Sequence, residues 1–227
     1  MKNKLVSKTR LLGAALSATL LFGLAACSDS SSDSSAELGT KANPIRIGVV
    51  GSADEHWPIF EEKAEAAGIY IELKDFSDYN QPNPALTDKE LDLNQFQHLL
   101  YLANYNVSAG EDLTPIGATA VYPLGVYSNE YQDVKDIPTG SQIAIPNDPT
   151  NLSRSLLVLQ DAGLLKLRDG GSAFSTEADV LKDDSTVEVV AVDAAQTAVA
   201  LSSGSVAASV INNDFVGSVA KIGGSQR

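Results

Sequence analysis

Cysteine is almost absent from this chain: the one residue, Cys27, stands at the end of an N-terminal apolar run, and none follows it. Disulfides, thiolate metal sites and a cysteine nucleophile are therefore excluded from the chain beyond it. Histidine is nearly as scarce. His56 and His98 are the two present, and neither lies in an HxxxH or paired-carboxylate spacing, so a metal site finds no support. No G-x-S-x-G elbow occurs, and no serine stands in a recognisable setting beside His98, which leaves a surface hydrolase without its nucleophile and base. Cations are outnumbered, 16 Lys and Arg against 29 Asp and Glu, for a formal charge of −13. Such a surface repels nucleic acid and anionic lipid head groups. Long apolar runs are missing too. The single exception has about 16 residues, short of the roughly 20 that a spanning helix needs.

That exception is LLGAALSATLLFGLAA, residues 11–26, preceded by Lys2, Lys4, Lys8 and Arg10 and followed by serines and aspartates. The order is that of the n-region, h-region and cleavage site of a secretory signal. Leu24-Ala25-Ala26-Cys27 looks like a bacterial lipobox, in which the thiol receives a diacylglycerol before cleavage leaves it as the first residue. A plain secretory signal with a chance cysteine is the alternative. The expected division is a signal peptide at 1–26, then a lipidated Cys27 with a flexible tether to 43. The tether's SDSSSDSS stretch has no apolar surface to bury. One acyl chain, at about 0.8 kcal/mol per buried CH₂, anchors only reversibly, whereas two or three hold for the protein's lifetime. The expected location is the extracytoplasmic face of the cell membrane, held by lipid.

Beyond the tether roughly 185 residues remain, enough for one sizeable domain or two small lobes. Short apolar strands alternate with amphipathic helices, an α/β pattern. Strands are expected at Ile45–Val50, Ile69–Phe76, Leu113–Ala118, Val121–Tyr127, Gln142–Pro146, Thr186–Val192 and Val206–Ile211. Helices are expected at Trp57–Ala67, closed by Gly68, at Pro82–Asp88, at Gln97–Tyr105 with a stripe of Leu99, Leu100 and Ala103, from Thr150 to Gly163, and at Ala194–Leu201. The first strand-helix-strand unit implies parallel pairing. Two sets of such units suggest lobes at 44–125 and 126–215, with Tyr122-Pro123-Leu124-Gly125 crossing between them and a cleft that suits a ligand.

Three clusters invite a site. Phe76-Ser77-Asp78-Tyr79 ends a strand, where α/β sheets line their ligand crevice, although Tyr79 could equally cover the sheet edge. In Asn94-Gln95-Phe96-Gln97-His98-Leu99-Leu100-Tyr101, His98 and Tyr101 are three apart and share a helix face, and Phe96 reaches the same ligand only from before the helix. A lone helical histidine is also commonly structural. In Asn147-Asp148-Pro149-Thr150-Asn151-Leu152-Ser153-Arg154, a strand gives way to a capped helix whose free N–H groups favour an anion. Asn151 and Arg154, three apart, can address that anion together, the guanidinium matching a carboxylate. An ordinary capped helix with a surface arginine is the plain alternative.

Together with the lipobox, the stretches FSDYNQPNPAL (76–86), ELDLNQFQHLLYL (90–102), AIPNDPTNLSR (144–154) and VIN (210–212) resemble the NlpA-type lipoproteins, the methionine-binding components of bacterial ABC importers. The similarity runs from about Ile45 to Phe215. The resemblance implies the two-lobed periplasmic-binding-protein fold (type II), each lobe a mixed sheet with flanking helices. It places Tyr79, Phe96, His98 and Tyr101 on the first lobe's side of the cleft and Asn151, Arg154 and Asn212 on the second's. In that arrangement Arg154 and Asn151 hold the α-carboxylate of L-methionine, Asn212 and nearby carbonyls receive its ammonium, and Tyr79, Phe96 and Tyr101 line the thioether pocket. The partner is an ABC permease with its ATPase. No cofactor and no catalysis are implied.

Two departures from the family stand out. Gln95 occupies a position where an aromatic is usual, which predicts a more polar pocket wall. The chain stops at Arg227, where family members continue for some tens of residues back to the first lobe. Residues 216–227 then read as a truncated crossover, and the first lobe is expected to expose apolar surface, with weakened stability and closure. Alternatives of function are the same transport role for another small amino acid or a methionine derivative, or a surface lipoprotein without a ligand.

Overall fold

Ile45–Val49 (IRIGV) is an apolar run flanked by a proline and a Gly51 turn, and it forms β1 at the centre of a sheet. The computed structural model describes residues 37–217; the signal sequence, Cys27, most of the tether and the last ten residues lie outside that range. Helix α1 (His56–Ala66) buries Trp57 and ends where Gly68 takes φ +80°, a conformation that glycine adopts without a Cβ clash. Strand β2 (Ile71–Asp75) then pairs parallel to β1, Ile45 opposite Ile71, as the crossover rule requires. Helix α2 (Pro82–Thr87) opens on a proline, and β3 (Leu93–Gln95) pairs parallel to β1 on its other side. The order is β2-β1-β3. Gly48 of β1 is required by close approach: a Cβ there would fall 2.4 Å from Leu91 Cδ1.

Helix α3 (Leu99–Ala109) follows, and β4 (Gly125–Tyr127) opens a second sheet. Its other strands are β5 (Ser141–Pro146), β6 (Val187–Val192) and β7 (Ala208–Ile211), in the order β4-β7-β5-β6. Only β4 runs antiparallel, on β7. Helices α4 (Pro149–Asp161) and α5 (Ala194–Ser202) cover this sheet, and α6 (Asn213–Val216) leaves β7. Ile143, Ile145, Leu156 and Leu159 are fully buried in its core.

Three expectations need correction. The sheet around β1 was expected to be mixed, yet among the described residues all its pairs are parallel. The strands expected at Leu113–Ala118 and Val121–Tyr127 shrink to β4, and residues 112–124 form no ladder. Alternating apolar residues create a strand face, but a strand also needs a neighbour to bond. The helix expected from Gln97 begins at Leu99, and its stripe is misplaced: Leu99 is 70% exposed and Ala103 exposed, while Leu102 is buried. Among the described residues, no helix is long and apolar enough to cross a membrane.

Candidate functional site

The ends of β5 and β7 and the turn after β3 meet between the two sheets. Strand β5 ends at Pro146, and Asp148 caps α4, with Pro149 filling the first helical position, where no N–H is needed. One Asp148 oxygen accepts the Asn151 N–H (2.9 Å) and the Thr150 hydroxyl (2.9 Å), while the other accepts Asn151 Nδ2 (2.9 Å). Its carboxylate thereby fixes which way the Asn151 amide points. Asp148 lies inside the motif read from sequence, but this clamp was not assigned to it; an Asp-Pro pair at a strand-to-helix junction is the signal that could have found it.

Asn151 is the meeting point. Its Oδ1 accepts Arg154 Nη1 (2.8 Å) and Asn212 Nδ2 (3.2 Å), and His98 Nε2 approaches it at 3.3 Å. Arg154 also donates to the Tyr122 carbonyl (3.2 Å). This guanidinium is half-buried, and both its hydrogen-bond acceptors are neutral; among the described residues no carboxylate stands within ion-pair distance. Burial lowers its pKa, with Tyr79 and Asp148 opposing. Asn212 Oδ1 is buried without a hydrogen-bond partner among the described residues, a situation rare enough in folded proteins to need a reason.

His98 stands before α3, not within it. Its Nδ1 accepts the Tyr101 N–H (3.1 Å), so the imidazole serves as the helix N-cap. An accepting Nδ1 is unprotonated, so the neutral ring carries its proton on Nε2 and donates toward Asn151. Burial, then the Arg154 charge, lowers the His98 pKa and favours that neutral form. The shared helix face with Tyr101 is therefore replaced by a cap bond between the same two residues.

Aromatic rings continue the site. Tyr101 lies 6.2 Å from the His98 ring, Phe96 5.7 Å from Tyr101, and Tyr79 5.8 Å from Phe96. They belong to an apolar cluster that Tyr127 and Ile211 enter from the other sheet and Phe215 from α6. Phe96 sits before the helix, as its position required. Tyr79 is doubly committed: its hydroxyl donates to Asp214 (2.6 Å), and its carbonyl accepts the Tyr101 hydroxyl (2.9 Å). Burial, reinforced by Asp214, raises the Tyr79 pKa far above the ordinary phenol value, and burial raises that of Tyr101. Asp214 is raised by its own burial, with the Tyr79 hydrogen bond opposing. Sequence reasoning missed Asp214, and no local signal marks a partner 135 positions from Tyr79.

All seven expected residues thus fall into one chain of contacts, from Tyr79 through Phe96, Tyr101 and His98 to Asn151, and from there to Arg154 and Asn212. Gln95 donates to Thr119 (3.0 Å), so this polar departure is paired within the chain. Surface hollows of about 360 Å³ beside Ser202–Ala207 and about 390 Å³ beside Leu73–Phe76 lie elsewhere. Among the described residues no group of three His, Cys, Asp or Glu is arranged to hold a metal.

The profile of the NlpA lipoprotein family matches residues 45–226. A D-methionine-binding lipoprotein, MetQ, of Salmonella typhi is 37% identical over 179 residues, covering 78% of this chain and 66% of the relative. The chain thus spans just under two thirds of that relative's length. The substrate-binding protein of a methionine transporter from Streptococcus pneumoniae superposes with a TM-score of 0.72 at 41% identity, covering 78% of this chain and 71% of that one. A nutrient-binding protein from Burkholderia cenocepacia, solved bound to methionine, gives a TM-score of 0.72 at 33% identity, over 81% of this chain and 79% of that one.

Proposed function

The chain belongs to the NlpA lipoprotein family, and from that premise we propose that it is a solute-binding protein that captures methionine outside the membrane and passes it to an ABC permease with its ATPase. The observation that carries this reading is the crowding at Asn151. A guanidinium, an amide and an imidazole all address one carbonyl oxygen, and such an oxygen has two lone pairs. A ligand carboxylate offers about four acceptor sites and takes a bidentate arginine. It would take over those donors and give the half-buried Arg154 the counter-charge that neutral acceptors do not supply. The unpartnered Asn212 oxygen is the complementary acceptor for an ammonium donor. Tyr79, Phe96 and Tyr101 supply an apolar, aromatic wall suited to a thioether, where each sulfur contact contributes about 0.3–1.5 kcal/mol.

The lobes are residues 44–125 and 126–215, and the site lies between them. Closure brings His98 onto Asn151 and creates the surface a permease reads. Lipid on Cys27 holds the protein at the extracytoplasmic face. The tether expected to run to residue 43 is shorter, because the buried Gly39 accepts the Tyr70 N–H (2.8 Å) and donates to the Asn43 carbonyl (2.8 Å). These bonds tie residues 39–43 to the folded body. Calorimetric titration of the full-length chain in detergent with L-methionine, D-methionine and the sulfur-free norleucine tests the reading. Saturable methionine binding that Arg154→Ala abolishes is expected, with L-methionine the preferred enantiomer. Equal binding by the variant, or no binding of either enantiomer to the folded chain, would sink it.

A further inference from the structure

We propose that Asn83, on the first turn of α2 and outside the ligand site, is a positioning residue that sets the ligand-facing geometry of Phe96 and His98 through a reciprocal amide lock with Gln97. The inference rests on the methionine-binding reading above and deepens it. Asn83 is 1% exposed. Its Nδ2 donates to Gln97 Oε1 (2.8 Å), and its Oδ1 accepts Gln97 Nε2 (2.7 Å), two antiparallel bonds between two carboxamides. Asn94 completes the set: its Nδ2 donates to Asn83 Oδ1 (2.9 Å) and the Pro82 carbonyl (3.4 Å), and its Oδ1 accepts Gln97 Nε2 (3.2 Å).

Both protons of the Gln97 amide and both of the Asn94 amide are therefore used, and flipping any one amide would set oxygen against oxygen. Such a network, centred on the buried Asn83 and with every amide oxygen and nitrogen partnered, specifies one arrangement where apolar contacts would allow several. Its place in the chain gives that property a use. The β1–β3 ladder ends at Gln95, and α3 begins at Leu99. Between them lie Phe96 and His98, the residues that carry the aromatic wall and the donor to Asn151, and Gln97 stands between the two. The lock holds this turn where the backbone ladder has stopped.

The test uses the full-length chain and two readouts. The first is methionine affinity, expected to fall at least tenfold in Asn83→Ala. The second needs no ligand: the ¹⁵N shifts of the two imidazoles, assigned with His56→Gln. Wild-type His98 is expected as the Nε2–H tautomer, shifting to a mixture in Asn83→Ala as the cap on Tyr101 loosens. Gln97→Met supplies the same readouts where Asn83→Ala reduces the yield of folded protein. The triple variant Asn83→Leu/Asn94→Leu/Gln97→Leu removes all three amides together and leaves none unpaired, which restores stability if nothing but packing is at stake. It is expected to recover the melting temperature but not the affinity. Recovery of both, or a wild-type tautomer with affinity within twofold in the single variants, overturns the proposal. Absence of methionine binding by the wild-type chain would instead count against the functional reading, and the tautomer readout would still decide the lock.

Discussion

The two sheets obey the same α/β logic and differ in how much of themselves they bury. The sheet of β4 to β7 encloses a core of thirteen buried apolar side chains, several fully buried, under α4. The sheet of β1 to β3 has a cluster of three, Ile47, Val49 and Trp57, with four half-buried neighbours. Beyond the aromatic cluster it shares with the other sheet, it is tied by polar contacts: the Asn83, Asn94 and Gln97 amides, and the Arg46 and Asp92 pair at 3.0 Å. Close by, residues 114–121 are exposed throughout. The site inherits this contrast. Asn151, Arg154 and Asn212 stand on the well-packed sheet, whereas Phe96, His98 and Tyr101 stand on the sparser one. On the proposed reading, a protein that opens and closes on its ligand has reason to keep the anchoring charge rigid and the covering aromatics on the looser half.

The sharpest break in the comparison comes from the packed side. Leu156→Ala empties a fully buried site of the large core and is expected to cost about 2–5 kcal/mol, read from urea unfolding. Leu93→Ala, at a half-buried position on the small cluster, should cost less than half as much. Equal losses would mean that the two halves are packed alike. Native-state hydrogen exchange offers a second view, with β5 and β7 amides protected more than those of β1 and β3. Arg154→Ala is next: removing the guanidinium leaves a ligand carboxylate unpaired, an expected loss of about 2–5 kcal/mol of binding, with the unfolding midpoint little changed.

How far these contrasts could be read in advance depends on the range of the interactions involved. The β5–α4 junction was legible because each part of it is local: a buried strand is a continuous apolar run, Asp148 caps, and Pro149 occupies the first turn. Gly68 and Gly163 marked helix ends for the same reason. His98 was found but misplaced, because a helix pattern does not reveal whether its first polar residue caps or continues it. The strands expected in 113–124 failed because strand propensity is conditional on a partner. Asp214 was invisible, since only the fold brings it to Tyr79. The family resemblance named the seven site residues; the geometry adds that Asn151 is where the donors converge.

Smaller effects probe the boundary between the halves. Tyr79→Phe removes the donor to a half-buried Asp214 and is expected to cost about 1–3 kcal/mol of stability, the penalty for a group left unsatisfied. No change would show that Asp214 finds another donor. The His98 cap predicts a pH dependence with a definite sign. Its folded pKa lies below the ordinary value because of burial and Arg154, so the folded state binds the proton less well than the unfolded chain. The associated stability is present above about pH 6.5 and is lost as pH falls through the lowered folded value. Methionine affinity should fall over the same range, because an imidazolium cannot cap α3 through Nδ1. His98→Asn retains a capping oxygen and should flatten this part of the pH profile. An unchanged slope in that variant would assign the titration elsewhere.

The smallest expected effect asks whether the bare segment is bare. Val121 is 94% exposed and Ile116 81%, and substitutions away from buried or specially constrained positions usually change stability by no more than about 0.5 kcal/mol. Val121→Ser and Ile116→Ser should therefore leave the unfolding midpoint in place while improving solubility, since they remove apolar surface from water. Thr119 differs from these neighbours, because its hydroxyl accepts from Gln95 (3.0 Å), and Thr119→Val should cost more than either. A loss above about 1 kcal/mol in Val121→Ser exceeds what an exposed valine ordinarily contributes and would mean that this side chain is covered in solution. The contrast between the two sheets would then be smaller than their burial implies, and a concentration dependence of the midpoint would identify the cover as a second copy of the chain.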